Sequence, residues 1–193
     1  MESTTHMTVI DALTSRRSVP RLRPDPVPRE VIERALGAAV WSPNHRLTEP
    51  WQFFVLEGES KRRFAELRAE FTRSAMADPD APEKKKVLEN VYQMAVTTPA
   101  IVVVTAAIHD NPEQREEDFW ATYGAAYAFM LALWSESVGS YFRTGGLRDY
   151  PPLRSFLRLG DDRRIIGFVY VGYPETVPQK RRTPAGEKTS WMS

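Results

Sequence analysis

Apolar residues recur at helical spacing near the start of the chain and again after a proline-punctuated loop. Thr8 followed by Asp11 has the spacing of a capping box, which predicts a short helix that runs into Arg16. Pro28 suits the first position of a second helix. The apolar residues of that helix fall on one face: Val31, Ile32, Ala35, Leu36 and Ala39. Two helices joined by a loop are therefore predicted for the first forty positions.

The first strand pattern covers residues 52–56 and is ended by Glu57 and Gly58. Ser60 then has the character of an N-cap for a third helix. Two later runs, residues 101–106 and 165–171, are too continuously apolar for edge strands, so we expect both to be central and covered on both faces. A further strand is predicted from Tyr141 to a glycine turn.

A long segment, residues 119–138, carries few charges and is apolar on nearly all sides. A helix of this kind is buried on several faces, so we expect one face against the sheet and another against a partner subunit. Residues 174–193 lack periodicity and read as an extended tail. Helices come first and then alternate with strands, which predicts one α+β domain with a mixed sheet over residues 8–193, preceded by an N-terminal extension of residues 1–7.

Composition excludes several classes of protein. Among 193 residues, 42% are hydrophobic and 26% charged, which is not a disordered composition, and a net charge of +1 argues against a nucleic-acid binder. Cysteine is absent, and the three histidines (His6, His45 and His109) are scattered, so we expect no disulfide, no thiolate chemistry and no metal site. No apolar run reaches the ~20 residues of a membrane span, and we expect a cytoplasmic protein.

Three segments carry groups suited to binding. Arg16, Arg17 and Ser18 offer two guanidinium forks and a hydroxyl, which is what a phosphate monoester requires. The alternative is a solvated basic helix end favoured by the helix dipole.

The second segment, residues 43–51, is a proline-bracketed loop with amide, imidazole, guanidinium and hydroxyl groups, and such fixed loops often bind ligands. The third, residues 143–146, reads R-T-G-G at a strand end, where glycines let backbone N–H groups approach a ligand. A polar turn and an ordinary glycine turn are the alternatives. Neither a G-x-G-x-x-G nor a Walker lysine motif occurs, so a Rossmann or P-loop nucleotide site is not supported.

Together and in this order, the segments resemble the nitroreductase family. The shared pattern is R-R-S near the N-terminus, a P-x-x-x-x-x-x-P-W loop running into a strand, a long apolar helix, and a strand ending near R-T-G. The resemblance covers about residues 8–190 and is greatest to the small, minimal subgroup of the family.

The resemblance implies a homodimer with a three-layer α/β/α fold and FMN in the dimer interface. It implies that Arg16, Arg17 and Ser18 hold the flavin phosphate and ribityl chain, and that His45 approaches the flavin from the partner subunit. The residues implied beside the isoalloxazine ring are Phe142, Arg143, Thr144 and Gly145. Arg182, in a basic tail segment, is implied to return to the phosphate.

The implied activity is that of an FMN-dependent oxidoreductase. The implied hydride donor is NADH or NADPH, and the implied acceptor is an electron-poor small molecule such as a nitroaromatic or quinone. The resemblance implies a ping-pong cycle that uses no catalytic side chain. Other chemistries on this scaffold are reductive dehalogenation, flavin fragmentation and azoline oxidation. A non-enzymatic module that binds an anionic partner through its basic clusters is the remaining alternative. The chain departs from the family pattern at Trp41, Leu47 and Glu49, which affects the expected contacts to the flavin pyrimidine edge.

Overall fold

The computed structural model describes residues 7–192, which contain six α-helices and four β-strands. In chain order they are α1 (Val9–Ser15), α2 (Arg29–Ala39), β1 (Trp51–Leu56), α3 (Gly58–Ser74), α4 (Pro82–Thr97), β2 (Ala100–Ala107), α5 (Pro112–Ser135), β3 (Gly139–Arg143), α6 (Pro151–Phe156) and β4 (Arg163–Gly172). Within these residues, no helix is both long and apolar enough to cross a bilayer.

The four strands form one sheet in the order β1-β2-β4-β3. The prediction that residues 101–106 and 165–171 are central is confirmed, because β2 and β4 occupy the two inner positions. The predicted mixed sheet is wrong for these strands, since each neighbouring pair is antiparallel. Ser18, which lies outside the four strands, makes a parallel bridge to Ser140 of β3. Hydrophobic pattern reports burial but not strand direction, which explains the error.

Two helical layers cover the sheet, as the α+β, three-layer prediction requires. One apolar cluster joins α2 and α5 to one face of the sheet, with Phe129, Val102 and Val169 fully buried in it. A second cluster joins α3, α4 and α6 to the opposite face around Phe64 and Phe168. Continuous burial along β2 and β4 follows from this cover on both sides.

Helix starts follow the predicted chemistry in part. The capping box at α1 is confirmed: Asp11 N–H donates to Thr8 Oγ1 at 3.1 Å, and Thr8 N–H donates to Asp11 Oδ2 at 3.3 Å. The N-cap of α3 is Glu57 rather than the predicted Ser60. Ser60 Oγ instead accepts a hydrogen bond from the Glu57 N–H at 3.1 Å. The long helix begins at Pro112, where the Asn111 side chain accepts from the first N–H groups.

The end of α1 is fixed against α5 and β3. Trp134 Nε1–H donates to Ser15 Oγ at 2.8 Å, and the Val19 N–H donates to the Ser140 carbonyl at 2.9 Å. Val19 itself is fully buried. These contacts place the intervening Arg16–Ser18 segment at a defined site beside the sheet edge.

The domain boundaries stay predictions. Residues 1–6 of the predicted extension and Ser193 lie outside the described residues. Beyond β4 the chain pairs once with the N-terminal loop, through a bridge between Pro174 and Leu22, and then continues as an exposed tail.

Candidate functional site

The Arg16–Ser18 segment presents two half-buried guanidinium groups beside an exposed serine. Arg17 Nη1 donates to the carbonyls of Thr14 and Arg16 at 2.7 and 2.9 Å, so this side chain lies back along the helix end. The Arg16 guanidinium lies over the Tyr127 ring, 5.8 Å from its centroid. Within the described part of the chain, the cations are therefore held by packing and by carbonyls and not by a carboxylate.

Unsatisfied buried polar atoms concentrate at this segment. Among the described residues, three buried side-chain atoms have no hydrogen-bond partner: Arg16 Nε, Arg17 Nε and Ser140 Oγ. Buried donors without a partner are uncommon, because each costs about 1–3 kcal/mol. Ser140 is the residue that bridges to Ser18. An oxygen-rich anion is the kind of group that would complete the two arginines.

A row of aromatic side chains leads away from Arg16. Tyr127 and Tyr123 are one turn apart on α5 and are 40% and 43% exposed. Tyr123 meets Phe142 of β3 edge-on, with the ring centroids 5.8 Å apart. The row from Arg16 to Phe142 thus joins a cationic end to an apolar, partly exposed wall, which suits a planar ligand with an anionic tail.

The turn after β3 ends this row. Gly145 has φ 124° and ψ −177°, a conformation that favours glycine. Among the hydrogen bonds of residues 7–192, the Thr144 and Gly145 N–H groups donate to no acceptor. These exposed donors lie next to Phe142 in the chain and are available to a ligand.

Arg143 is directed differently from Phe142. Its Nη1 donates to Met94 Sδ on α4 at 3.0 Å, whereas Phe142 contacts α5 on the other face of the sheet. Successive strand residues point to opposite faces, which explains the separation. If the Phe142 face binds the ligand, Arg143 can contribute its backbone but not its guanidinium.

The proline-bracketed loop has an unusual backbone. Arg46, Leu47 and Glu49 have positive φ angles of 57°, 52° and 43°. The Glu49 N–H donates to Asn44 Oδ1 at 3.0 Å, and Thr48 Oγ1 donates to the buried Asp118 at 2.6 Å. These bonds hold a conformation that costs free energy, and such strain is common at binding sites.

His45 lies at the edge of this loop. Its Nδ1 is 2.8 Å from Glu117 Oε2 on α5, and its side chain is 57% exposed. Nearby Trp41 and Leu47 are 87% and 80% exposed, and the hollow they border also contains Glu49. Within one chain, His45 therefore pairs with the start of α5, while Arg16 and Phe142 lie along its later turns.

Arg182 belongs to the exposed tail. Among the described residues its guanidinium donates only to the Arg181 carbonyl, at 3.1 Å. The structure brings together Arg16, Arg17, Ser18 and Phe142 through α5 and β3, and does not bring Arg182 to them. The sequence-based hypothesis did not include Tyr123 and Tyr127, although their i, i+4 spacing on an apolar helix is a readable signal. It also did not include Glu117 and Asp118, whose partners are about seventy residues away.

A three-layer α+β fold with this basic and aromatic surface defines a class of protein. The chain belongs to the nitroreductase family, whose family model matches residues 13–173.

Individual relatives agree with this membership. The chain is 30% identical over 189 residues to "Putative NAD(P)H nitroreductase YfhC" of Bacillus subtilis, covering 97% of this chain and 95% of that protein. It is 27% identical over 188 residues to iodotyrosine deiodinase 1 of Sus scrofa, covering 90% of this chain and 65% of that protein. The structure of a nitroreductase-like family protein from Bacillus cereus superposes with a TM-score of 0.83 at 27% identity, covering 98% of each chain.

Proposed function

We propose that this protein is an NAD(P)H-dependent FMN oxidoreductase that reduces an electron-poor small molecule, such as a nitroaromatic or a quinone. The observation that carries the proposal is that, among residues 7–192, the buried Nε atoms of Arg16 and Arg17 have no hydrogen-bond partner, with Arg16 at the end of the aromatic row. Family membership and the NAD(P)H nitroreductase name of the Bacillus subtilis relative support it.

The residues present fit FMN. Arg16, Arg17 and Ser18 supply two cations and a hydroxyl for the phosphate, where charge-assisted hydrogen bonds are strongest. Tyr123 and Phe142 supply apolar cover for a planar ring. The free N–H groups of Thr144 and Gly145 supply hydrogen-bond donors to the polar edge of that ring.

Bound FMN would supply the redox chemistry, taking a hydride from the reduced nicotinamide and passing two electrons to the acceptor. The chain's own residues then position the ring, exclude water from one side of it and stabilise negative charge at its edge through backbone donors. No side chain has to act as nucleophile, acid or base.

We propose in addition that two copies form the site. Exposed apolar residues lie on α1, in the turn after α2, on the proline-bracketed loop and on α5: Val9, Ile10, Leu13, Trp41, Leu47, Trp120, Tyr123 and Tyr127. Large exposed apolar areas mark interaction surfaces. In the dimer, the loop of one copy would bring His45 to the ring held by the other, and the tail would bring Arg182 towards the phosphate. The cytoplasmic location stays a prediction.

An absorbance experiment tests this function. The purified protein, reconstituted with FMN and freed of excess by gel filtration, should keep the flavin spectrum. Under anaerobic conditions the visible absorbance band of the oxidised flavin should bleach when NADH or NADPH is added and return on addition of a quinone. A protein that retains no FMN, or holds FMN that neither nucleotide bleaches, contradicts the proposal.

Reductive dehalogenation is the second candidate, because a matched relative is named iodotyrosine deiodinase 1. A comparison of turnover with nitroaromatics, quinones and halogenated phenols ranks the two. Dominant release of halide ion would favour dehalogenation over quinone or nitro reduction.

A further inference from the structure

A cavity of about 160 Å³ lies on the face of the sheet opposite the aromatic row. Two arginines border it, Arg68 from α3 and Arg143 from β3, together with Tyr170 of β4 and the turn of residues 144–146. Arg68 is 8% exposed and Tyr170 is 2% exposed, so their charge and hydroxyl are largely removed from bulk water.

Among residues 7–192, the two guanidinium groups donate only to neutral acceptors. Arg68 Nη1 donates to the Tyr170 hydroxyl, and Arg143 Nη1 donates to the sulfur of Met94 at 3.0 Å. None of the ion pairs among residues 7–192 includes Arg68 or Arg143. Other arginines of α3, such as Arg62 and Arg63, are paired with glutamates.

The charge is not neutralised by the surrounding tyrosines. Arg68 and Arg143 lie over the Tyr170 ring at 5.3 and 5.9 Å, and Arg143 lies 5.4 Å from the Tyr141 centroid. These rings offer cation–π attraction but no net negative charge. Burial raises the pKa of Tyr170, so its phenol stays neutral, and burial together with Arg143 lowers the pKa of Arg68. A buried cation without a counter-charge, here Arg68 beside the half-buried Arg143, is costly, and an anion relieves that cost.

We infer that this cavity is a binding site for a small oxyanion, such as inorganic phosphate or the carboxylate of a small molecule, held between Arg68 and Arg143. The volume exceeds by about tenfold the roughly 10–15 Å³ that one water requires, and falls below the roughly 300–1,000 Å³ typical of larger organic ligands. The Tyr170 hydroxyl is a further polar group in the lining. The Arg68–Arg143 pair is separate from the proposed flavin phosphate site, because Arg16 and Phe142 belong to the other face of the sheet. The turn that carries Thr144 and Gly145 borders both this cavity and the proposed edge of the flavin ring.

Isothermal titration with inorganic phosphate, and separately with acetate, tests the inference in Tris chloride at constant ionic strength. The flavin-loaded wild-type protein is expected to bind one anion per chain. Arg68→Met and Arg143→Met should each weaken binding by about 10- to 150-fold, the value of one hydrogen bond to a charged group. Arg62→Met, which removes an exposed charge from the same helix, is the matched control and should bind as wild type does.

Phosphate binding without acetate binding identifies a tetrahedral oxyanion, and the reverse result identifies a carboxylate. If wild type binds neither anion, the tyrosine rings alone stabilise the arginines, and the inference is overturned. An equal loss in Arg62→Met also overturns it, since the effect would then be general charge screening. Weaker retention of FMN by Arg68→Met than by Arg62→Met would assign the cavity to the flavin site instead, and overturns the inference. If Arg68→Met does not fold, Arg143→Met decides. Flavin retention is measured separately by absorbance, so failure of the proposed oxidoreductase function remains distinguishable.

Discussion

Replacement of Arg16 by methionine tests whether this arginine binds a ligand or only supports the fold. Arg16 donates no side-chain hydrogen bond within the described residues, and its Nε is buried without a partner. Its recorded side-chain interaction is the stacking on Tyr127 at 5.8 Å. Loss of that interaction costs about 0.5–1 kcal/mol at an exposed site, while removal of the unsatisfied Nε relieves at least as much. We therefore expect the flavin-free variant to unfold at a urea concentration no lower than that of wild type.

Binding of FMN should respond quite differently. Hydrogen bonds to a charged group contribute about 1.5–3 kcal/mol, so loss of the guanidinium should raise the dissociation constant of FMN by about tenfold or more. When FMN is present at about 100 times the wild-type dissociation constant, it stabilises the wild-type fold by about 2.7 kcal/mol. A tenfold weaker variant retains about 1.4 kcal/mol at the same concentration. At 2–4 °C per kcal/mol for a chain of this size, the variant should melt about 3–5 °C below wild type with FMN only.

The assay is quenching of flavin fluorescence during titration of flavin-free protein, with thermal melts taken with and without FMN. Arg62→Met serves as the control for loss of one positive charge, because it lies exposed on α3 and pairs with Glu59. The reasoning is refuted if Arg16→Met changes the dissociation constant by less than about threefold, or if the control weakens binding equally. It is also refuted if the melting difference persists without FMN.

Three further predictions test the dimer, the packing behind Phe142 and a buried amine. Trp120→Asp should convert a dimer to a monomer in sedimentation equilibrium, because Trp120 is 64% exposed on α5. The control Val87→Asp, on α4 in the opposite helical layer, should remain dimeric. Equal behaviour of the two variants would count against this interface. Gly167→Ala should lower the free energy of unfolding, measured in urea, by about 1–3 kcal/mol, because the added Cβ would lie 2.5 Å from Phe142 Cζ. An unchanged urea midpoint would mean that the Phe142 ring moves aside without cost. Burial lowers the pKa of Lys61 below 10.5, so the unfolded chain binds the proton more tightly than the fold does. The stability of wild type relative to Lys61→Met should therefore rise as pH increases towards 10.5, and a flat or falling difference between pH-matched urea titrations would exclude this effect.

Local signals in the sequence predicted much of the fold. The spacing of Thr8 and Asp11 gave the start of α1, and the continuous apolar runs gave the two inner strands. The prediction of Ser60 as an N-cap was wrong because more than one nearby residue type can cap a helix. Glu57, three residues earlier, is the N-cap and forms the capping box with Ser60. The direction of strands was predicted wrongly because β2 and β4 are joined through α5 and β3, and side-chain alternation is the same for either direction.

The candidate site was predicted where its groups are consecutive in sequence. The candidate phosphate-binding residues could be recognised together because they are consecutive in the chain: Arg16, Arg17 and Ser18. Contacts between distant segments could not be recognised, and the clearest example is Arg68, which meets Tyr170 across 102 positions of the chain. The opposite orientation of Arg143 relative to Phe142 follows from strand alternation, but only the packed layers show which side chain faces which helix.

The left-handed backbone at Arg46, Leu47 and Glu49 restricts which amino acids this loop can accept. Branching at Cβ raises the cost of that conformation, so valine, isoleucine and threonine are disfavoured at all three positions, while glycine or asparagine would relieve it. Variants that carry glycine there should gain thermostability without any change to the apolar interior. Protein engineers could use these three positions to raise heat tolerance, provided that the looser loop still presents its neighbouring imidazole correctly.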